Sequence, residues 1–461
     1  MAHIRISMSS MRTELKKAWQ FLWSTEFWRM AVLWNLSILY SYLLLFSQRF
    51  LSFSINHRSE TYYSYERDSP CTSEAVMPLC IITGVKLPAT SGLGAAAALA
   101  LSKRGFYVVL EKRGLYKFQF LICPSSEELN YLSFFILFFT FKFTSFVCLR
   151  LVNGLFNFRM FVFNLPLVAR GTDGREHFQI FMAGRSRHLL LKTMSEIKKQ
   201  NEKALLKAFQ VDLLSIQSIL DFKNSLQLWL QDSKMHPSVQ LLINNAGILA
   251  TSSRFTSEGY DQMMATNYIG PFFLTQMLLP LLKNSPFPSR IVNVSSFTHR
   301  CVFDVQVDED TVCGNCFRVL DQYPCSSIYE YSKLCLLLFS YELHRKLSLE
   351  NGSHKLTVIV ADPGVVKTNI MREVPAYLAR VAFTILRLLR LLQLPKDGVN
   401  SILDAALASP ETSGVYFFGG KGRMVKSSAR SYNTKLAEEL WETSSNLFLK
   451  SQITIGGETS S

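Results

Sequence analysis

Tyr329 and Lys333 stand four residues apart in SIYEYSKLCLLLFSYELHRKL. On a helix that spacing puts both side chains on one face. A phenol with a pKa of about 10 is a poor base at neutral pH, but an ammonium beside it favours phenolate. The pair can then give a proton to a carbonyl oxygen or take one from an alcohol. Ser296, at the end of the apolar run RIVNVSS, is placed to hydrogen-bond that oxygen. Ser295 is its neighbouring alternative, which strand alternation points to the other face. Tyr331 lies two residues from Lys333 and faces elsewhere on the helix.

A second chemical signal lies in IITGVKLPATSGLGAAAALALSKRG, Ile81 to Gly105. Gly92 and Gly94 let the backbone approach a pyrophosphate, and the alanine-rich helix that follows offers unpaired N–H groups and its positive dipole end. Val85-Lys86-Leu87-Pro88 interrupts this turn; without it the text reads TGATSGLG. The insertion lies on the strand side, so the ATSGLG half can keep its role while Thr83 and Gly84 are displaced or the turn bulges.

Stepping outward, short β-rich apolar runs alternate with helical patterns from Met77 onward, which predicts an α/β fold with a doubly wound parallel sheet. The strands are PLCIITG, FYVVL, ALLKAFQVDL, QLLINNAG, SRIVNVSS, LTVIVADPG and GVYFF. Ligands of such a sheet bind beyond the carboxyl ends of its strands. One region breaks the rhythm: Glu111 to Met182 follows the second strand and holds 15 of the chain's 35 Phe. Only then comes AGRSRHLLLKTMSEIKK, the loop and helix expected directly after that strand. Tyr131 to Cys148 is apolar apart from Lys142, yet a single crossing would put hydrogen-bonded strands on opposite sides of a bilayer. Only an even number of crossings, a re-entrant hairpin or a surface subdomain is compatible. Closing a flexible loop of this length costs about 4 kcal/mol, which a stable sheet tolerates. Both interruptions read as late additions to a working domain, retained non-coding sequence being the simplest source.

The chain has 461 residues, 48% hydrophobic, enough for a substantial core. Its formal charge of +14 is scattered, which favours a membrane surface over nucleic acid. Met30 to Ser47 is an uncharged stretch bracketed by Arg29 and Arg49, long enough to cross a bilayer as a retained anchor. The predicted organisation is a basic segment at 1–29, a transmembrane anchor at 30–47, a linker at 48–76, one catalytic domain at 77–447 with insertions at 85–88 and 111–182, and a tail at 448–461. Cys301, Cys313, Cys316 and Cys325, with His299, raise zinc or a lumenal disulfide, but one CxxC with irregular spacing favours ordinary thiols and no metal. Ala376 to Pro395 is apolar with Arg380, Arg387 and Arg390 interspersed. It reads either as a membrane-facing amphipathic stretch or as a core helix with snorkelling arginines.

Together these motifs resemble the short-chain dehydrogenase/reductase family. Thr83-Gly84…Gly92-Leu93-Gly94 resembles its interrupted TGxxxGxG turn, Asn244 to Gly247 its NNAG, Tyr329 to Lys333 its YxxxK, and Pro363-Gly364 its PG turn. Four weak motifs in order on the right elements are strong together. The resemblance implies a Rossmann fold, hydride exchange with a nicotinamide cofactor, and catalytic Asn267, Ser296, Tyr329 and Lys333. Asn267 would hold a water in the proton relay with Lys333. Cofactor contacts are implied for Thr83, Gly84, Ser91, Gly92, Leu93, Gly94, Arg185, Asp212, Asn244, Ala246, Gly247, Tyr329, Lys333, Pro363, Gly364 and Thr368, with Asp212 at the adenine amino group. Arg185 and Arg187 sit where a guanidinium holds a 2′-phosphate, favouring NADP over NAD unless Glu111 grips free ribose hydroxyls. Within the family, RIVNVSS, SKLCLLLFSYELHRKL, DPGVVKTNI and NTKLAEELW are most similar to membrane-anchored retinol dehydrogenases and the polyprenol dehydrogenase branch, including plant members of the FOREVER YOUNG type. That implies a lipophilic substrate, a single-pass anchor in the endoplasmic reticulum or another organelle membrane, and a homodimer. Two rivals stay open: a non-catalytic relative whose insertions spoil cofactor binding, and a multi-pass membrane protein.

Overall fold

The computed structural model describes residues 19–52, 78–84, 92–103, 107–110, 181–183, 187–204, 206–318, 320, 322–350, 356–420 and 423–458. The turn at 85–91, most of the Phe-rich insertion and the linker after residue 52 lie outside them. The chain divides into two units, Met1–Gly114 with Glu176–Ser461, and Leu115–Arg175; everything below concerns the first.

The elements in chain order begin with helix α1, built from Thr25–Trp28, a π-helical turn at Arg29–Trp34, and Asn35–Ser52. Then come β1 (Leu79–Ile82), α2 (Leu93–Ser102), β2 (Tyr107–Leu110), β3 (Phe181–Ala183), α3 (Arg187–Gln200), β4 (Leu206–Phe209) and α4 (Ile216–Asp232). The second half holds β5 (Leu241–Asn244), α5 (Gly270–Lys283, entered through a π turn at Ala265–Ile269), β6 (Ser289–Val294), α6 (Cys325–Leu349), β7 (Leu356–Asp362), α7 (Ala376–Leu388), α8 (Asn400–Ala406), β8 (Val415–Phe418) and α9 (Thr434–Glu458). All pairs within the sheet are parallel, in the order β3-β4-β2-β1-β5-β6-β7-β8. The seven predicted strands all form, and the doubly wound α/β fold is as the alternating pattern requires.

Strand alternation divides the core. Leu79 and Ile81 face a cluster built with α4, α5 and α6, while Cys80 and Ile82 face a second one under α2, α3 and α8. Helix α2 reaches the sheet closely because Ala95, Ala97 and Ala98 are fully buried and add little bulk. A third cluster joins α1 (Ile38, Leu45) to Phe297, Leu337 of α6, and Tyr416 and Phe418 of β8.

The eighth strand, β3, marks the seam of the Phe-rich insertion. Val108 and Val109 of β2 pair with Leu206 and Lys207, and Met182 and Ala183 of β3 pair with Ala208 and Phe209. Lys207 of β4 thus pairs with both Val109 of β2 and Phe181 of β3. Leu110 itself pairs with Met182.

Candidate active site

The carboxyl ends of β5, β6 and β7 gather the polar residues singled out in the sequence. Tyr329 and Lys333 lie on α6, both buried, with the Lys333 Nζ 5.8 Å from the centre of the Tyr329 ring. Lys333 donates to the Val294 carbonyl at 3.0 Å, which ties α6 to the end of β6. Two residues further on, Ser296 faces Tyr329. Ser295 turns away and donates to the Lys333 carbonyl at 3.1 Å. The Tyr331 hydroxyl likewise leaves the site, donating to Gln306 O at 2.5 Å.

Charge in this buried pocket is set by desolvation first. Burial raises the Tyr329 phenol above its ordinary value, Asp362 adds to this, and the hydrogen bond with Ser296 pulls the other way. The ammonium expected to favour phenolate is itself weakened: burial lowers Lys333 to about 8, with Asp362 opposing. Burial raises Asp362 to about 6, held down by hydrogen bonds from the Tyr416 hydroxyl and the Gly364 N–H. Asp362 was not singled out in the sequence. Its signal is an Asp directly before the PG turn, where its carboxylate closes on Gly364, whose φ is +71°.

Asn267 sits in the π turn at Ala265–Ile269. Its Oδ1 accepts from Ile248 N at 2.8 Å, and its Nδ2 donates to Ile248 O at 3.0 Å and Ser332 Oγ at 3.1 Å. A Cβ at Gly247 would stand 3.6 Å from both Asn267 Oδ1 and Lys333 Nζ, so glycine keeps these two groups facing one small space.

The residues expected to hold a cofactor line the strand ends on the other side. Thr83 Oγ1 accepts from the N–H groups of Asn245 and Ala246 at 2.9 and 3.0 Å, locking β1 to the NNAG turn. Gly84 has φ +76°, and a Cβ there would lie 2.5 Å from Ala246 Cα; no other residue fits. Asn244 donates to Thr275 Oγ1 and Asn293 Oδ1, and its own Oδ1 is buried with no partner. Gly92 caps α2 in extended conformation with Leu93 and Gly94 in the first turn, whose N–H groups have no partner within the helix. Asp212 follows β4, its carboxylate accepting from Leu214 N at 3.1 Å. Pro363 and Gly364 follow β7, and Thr368 precedes a short 3₁₀ turn at Asn369–Met371. These positions fit a dinucleotide laid across the strand ends. Ser91, Arg185 and Glu111 lie outside the described residues, as does the Arg187 side chain.

The cysteines and His299 are spread over several elements. Cys301, Cys313, Cys316 and Cys325 are free thiols, and no group of three metal-binding side chains gathers among the described residues. His299 is buried and held near pKa 3 chiefly by that burial. Its Nδ1 meets the Ser296 carbonyl at 2.6 Å and its Nε2 accepts from Ser428 N at 3.1 Å, so it fixes the backbone at Ser296. Thr298 adds two contacts to Ser296 Oγ.

A further group comes from the far end of the chain. Glu330, next to Tyr329 on α6, has a fully buried carboxylate. Arg29 donates to it through Nε at 2.8 Å and Nη2 at 2.5 Å, and Trp34 Nε1 at 2.7 Å. Burial still raises Glu330 to about 7, against these two donors. The Trp34 ring lies 5.6 Å from that of Tyr329.

The model of the family described as short chain dehydrogenase matches residues 172–305, which include the NNAG turn, Asn267 and Ser296. The polyprenol dehydrogenase of Homo sapiens is 34% identical over 296 residues, 61% of this chain and 83% of that protein. The dehydrogenase/reductase SDR family member FEY of Arabidopsis thaliana is 30% identical over 56% of this chain and 67% of its own length. Retinol dehydrogenase 14 of Homo sapiens is 33% identical over 51% of this chain and 64% of its own. The chain belongs to the short-chain dehydrogenase/reductase family. It is an oxidoreductase related to polyprenol and retinol dehydrogenases, with a fold that implies a nicotinamide dinucleotide cofactor, and its N-terminal helix is long and apolar enough to span a membrane.

Proposed function

We propose that this chain is an NADP(H)-dependent oxidoreductase that interconverts a lipophilic alcohol, retinoid- or polyprenoid-like, with its aldehyde or ketone. It is held at a membrane, that of the endoplasmic reticulum, by its N-terminal apolar helix. The observation that carries this reading is the convergence of Ser296, Tyr329 and Lys333 where β6 ends, beside the glycine-lined strand ends that fit a dinucleotide. Bound there, the nicotinamide supplies or accepts hydride.

The chain's own groups manage the proton. Ser296 holds the substrate oxygen, and the Tyr329 hydroxyl gives its proton to a carbonyl or takes one from an alcohol. Because burial keeps the phenol protonated, the donor form is ready for reduction. Lys333, cationic below about pH 8, stabilises the phenolate left behind. Asn267 and Lys333 share the space that Gly247 leaves open, the place for a relay water. Asp212 meets the adenine, and Arg185 and Arg187 the 2′-phosphate. Residues 30–47 form the anchor and 77–447 the catalytic domain.

NADPH binding, followed by cofactor fluorescence, and NADPH-dependent reduction of retinal and a polyprenal test the reading. Binding with turnover that Tyr329→Phe abolishes is the expected result. Absence of NADPH binding would favour the competing reading, a non-catalytic relative, which draws on the interruptions at 85–88 and 111–182.

A further inference from the structure

The apolar helix α1 has two unlike faces. One is built into the catalytic domain from Glu26 to Leu45. Glu26, buried, accepts from Ser326 N at 2.7 Å and from Ser326 Oγ at 2.6 Å. This caps the N-terminus of α6, where Pro324 supplies no side-chain cap of its own. Arg29 and Trp34 then close on Glu330. They are five residues apart, which in an α-helix separates two side chains by about 140°. The π turn at Arg29–Trp34, bonded i to i+5, brings both to one side. Further along, Ser37 Oγ donates to the Phe297 carbonyl at 2.7 Å, Arg300 Nε donates to Ser41 Oγ at 3.2 Å, and Tyr42 packs its ring 5.2 Å from Phe418. Ile38 and Leu45 complete the contact.

The opposite face is apolar and exposed: Val32, Leu36, Leu39 and Leu43 recur at helical spacing. Near it, α7 packs Leu386 on the same cluster as Tyr42 and Leu44 of α1 and exposes Ile385, Leu388 and Leu389 beside Arg387. Apolar side chains with interspersed arginines suit the boundary of an anionic lipid surface. A helix surrounded by hydrocarbon must leave its polar partners behind. Lifting α1 away would strip Arg29 and Trp34 from Glu330 and uncover the ring of Tyr329.

We propose that α1 is a wall of the active site, clamped to α6 through Glu26, Arg29 and Trp34, and that it meets the membrane along its outward face, lying in the lipid interface. The anchor and the helix that carries Tyr329 are then one rigid unit, and a greasy substrate reaches Ser296 from the lipid between α1 and α7. The lipid part rests on the membrane placement proposed above.

The test uses the full chain on phosphatidylcholine vesicles containing phosphatidylserine, with a protease site placed within residues 53–77. After cleavage, the N-terminal fragment and the domain are expected to sediment together and to co-elute once the vesicles are dissolved in mild detergent. Release of the domain into the supernatant, or separation of the two pieces in detergent, overturns the proposal. A second arm compares Trp34→Ala with Trp34→Phe for reduction of the same aldehydes. Trp34→Ala should lower kcat at least about tenfold and move the pH midpoint, and Trp34→Phe should restore most of both. Equal behaviour of Trp34→Ala and the unsubstituted chain removes the wall. If the unsubstituted chain reduces nothing while the pieces stay together, the enzymatic reading fails and the docking of α1 stands.

Discussion

The two halves of the crevice differ in how the chain reaches them. Around β5, β6 and β7 each functional side chain is set by contacts on an unbroken path: Asn267 on Ile248, Ser295 on Lys333, Lys333 on Val294. Around β1 and β2 the same sheet is entered through two interruptions, one after Gly84 and one after Leu110. Yet β2 still pairs in parallel with β1 and β4, because backbone pairing is local and a long loop adds only a logarithmic entropy cost. Strand pairing tolerates what a phosphate-binding turn, whose backbone must itself touch the ligand, tolerates far less.

Four experiments sharpen or break that contrast. The largest effect belongs to the intact half: Tyr329→Phe should lower turnover about 10²–10⁴-fold in a chain that still binds NADPH. A loss of binding instead would tie the two halves together. Next, joining Leu110 to Ala183 by deleting 111–182 should raise the unfolding free energy by up to about 4 kcal/mol in a denaturant titration, the closure cost of that loop. A chain that fails to fold without the segment would show that the ladder needs it. Gly84→Ala should destabilise by about 2 kcal/mol or more and weaken NADPH binding, because a Cβ at φ +76° runs into the backbone of Ala246. A neutral substitution would mean that the interrupted turn no longer holds Gly84 in this conformation.

The last effect is in pH. The folded Lys333 loses its proton at about 8 and the unfolded one at 10.5, so between these values the unfolded chain binds more protons. Stability should therefore rise with pH across that window while the rate of reduction falls. Comparing thermal unfolding of the unsubstituted chain and Lys333→Met isolates the contribution, and a pH-independent difference would contradict it.

Much of this was readable in the residues. Apolar runs of strand length gave all seven predicted strands, and alternation separated Ser296 from Ser295 because the period of a strand is two. The motif residues of the intact half meet because each lies at a strand end or on a helix facing one. Glu330, Trp34 and Glu26 were not legible, since their partners lie about 300 residues away and no local pattern encodes a contact of that range. An acidic residue on an apolar helix reads as exposed until a cation from elsewhere covers it. His299 read as a candidate ligand because its type is visible in sequence while its two backbone partners are not.

The cap that Glu26 places on α6 also has a consequence in time. Ribosomes add about 5–20 residues per second, so the 301 residues added after Arg29, up to and including Glu330, take about 15–60 s to make. During that interval α1 exists without its partner helix, and Glu26, Arg29 and Trp34 have no counterparts on α6. The clamp on α6 therefore closes only after the strands and helices between them have been made.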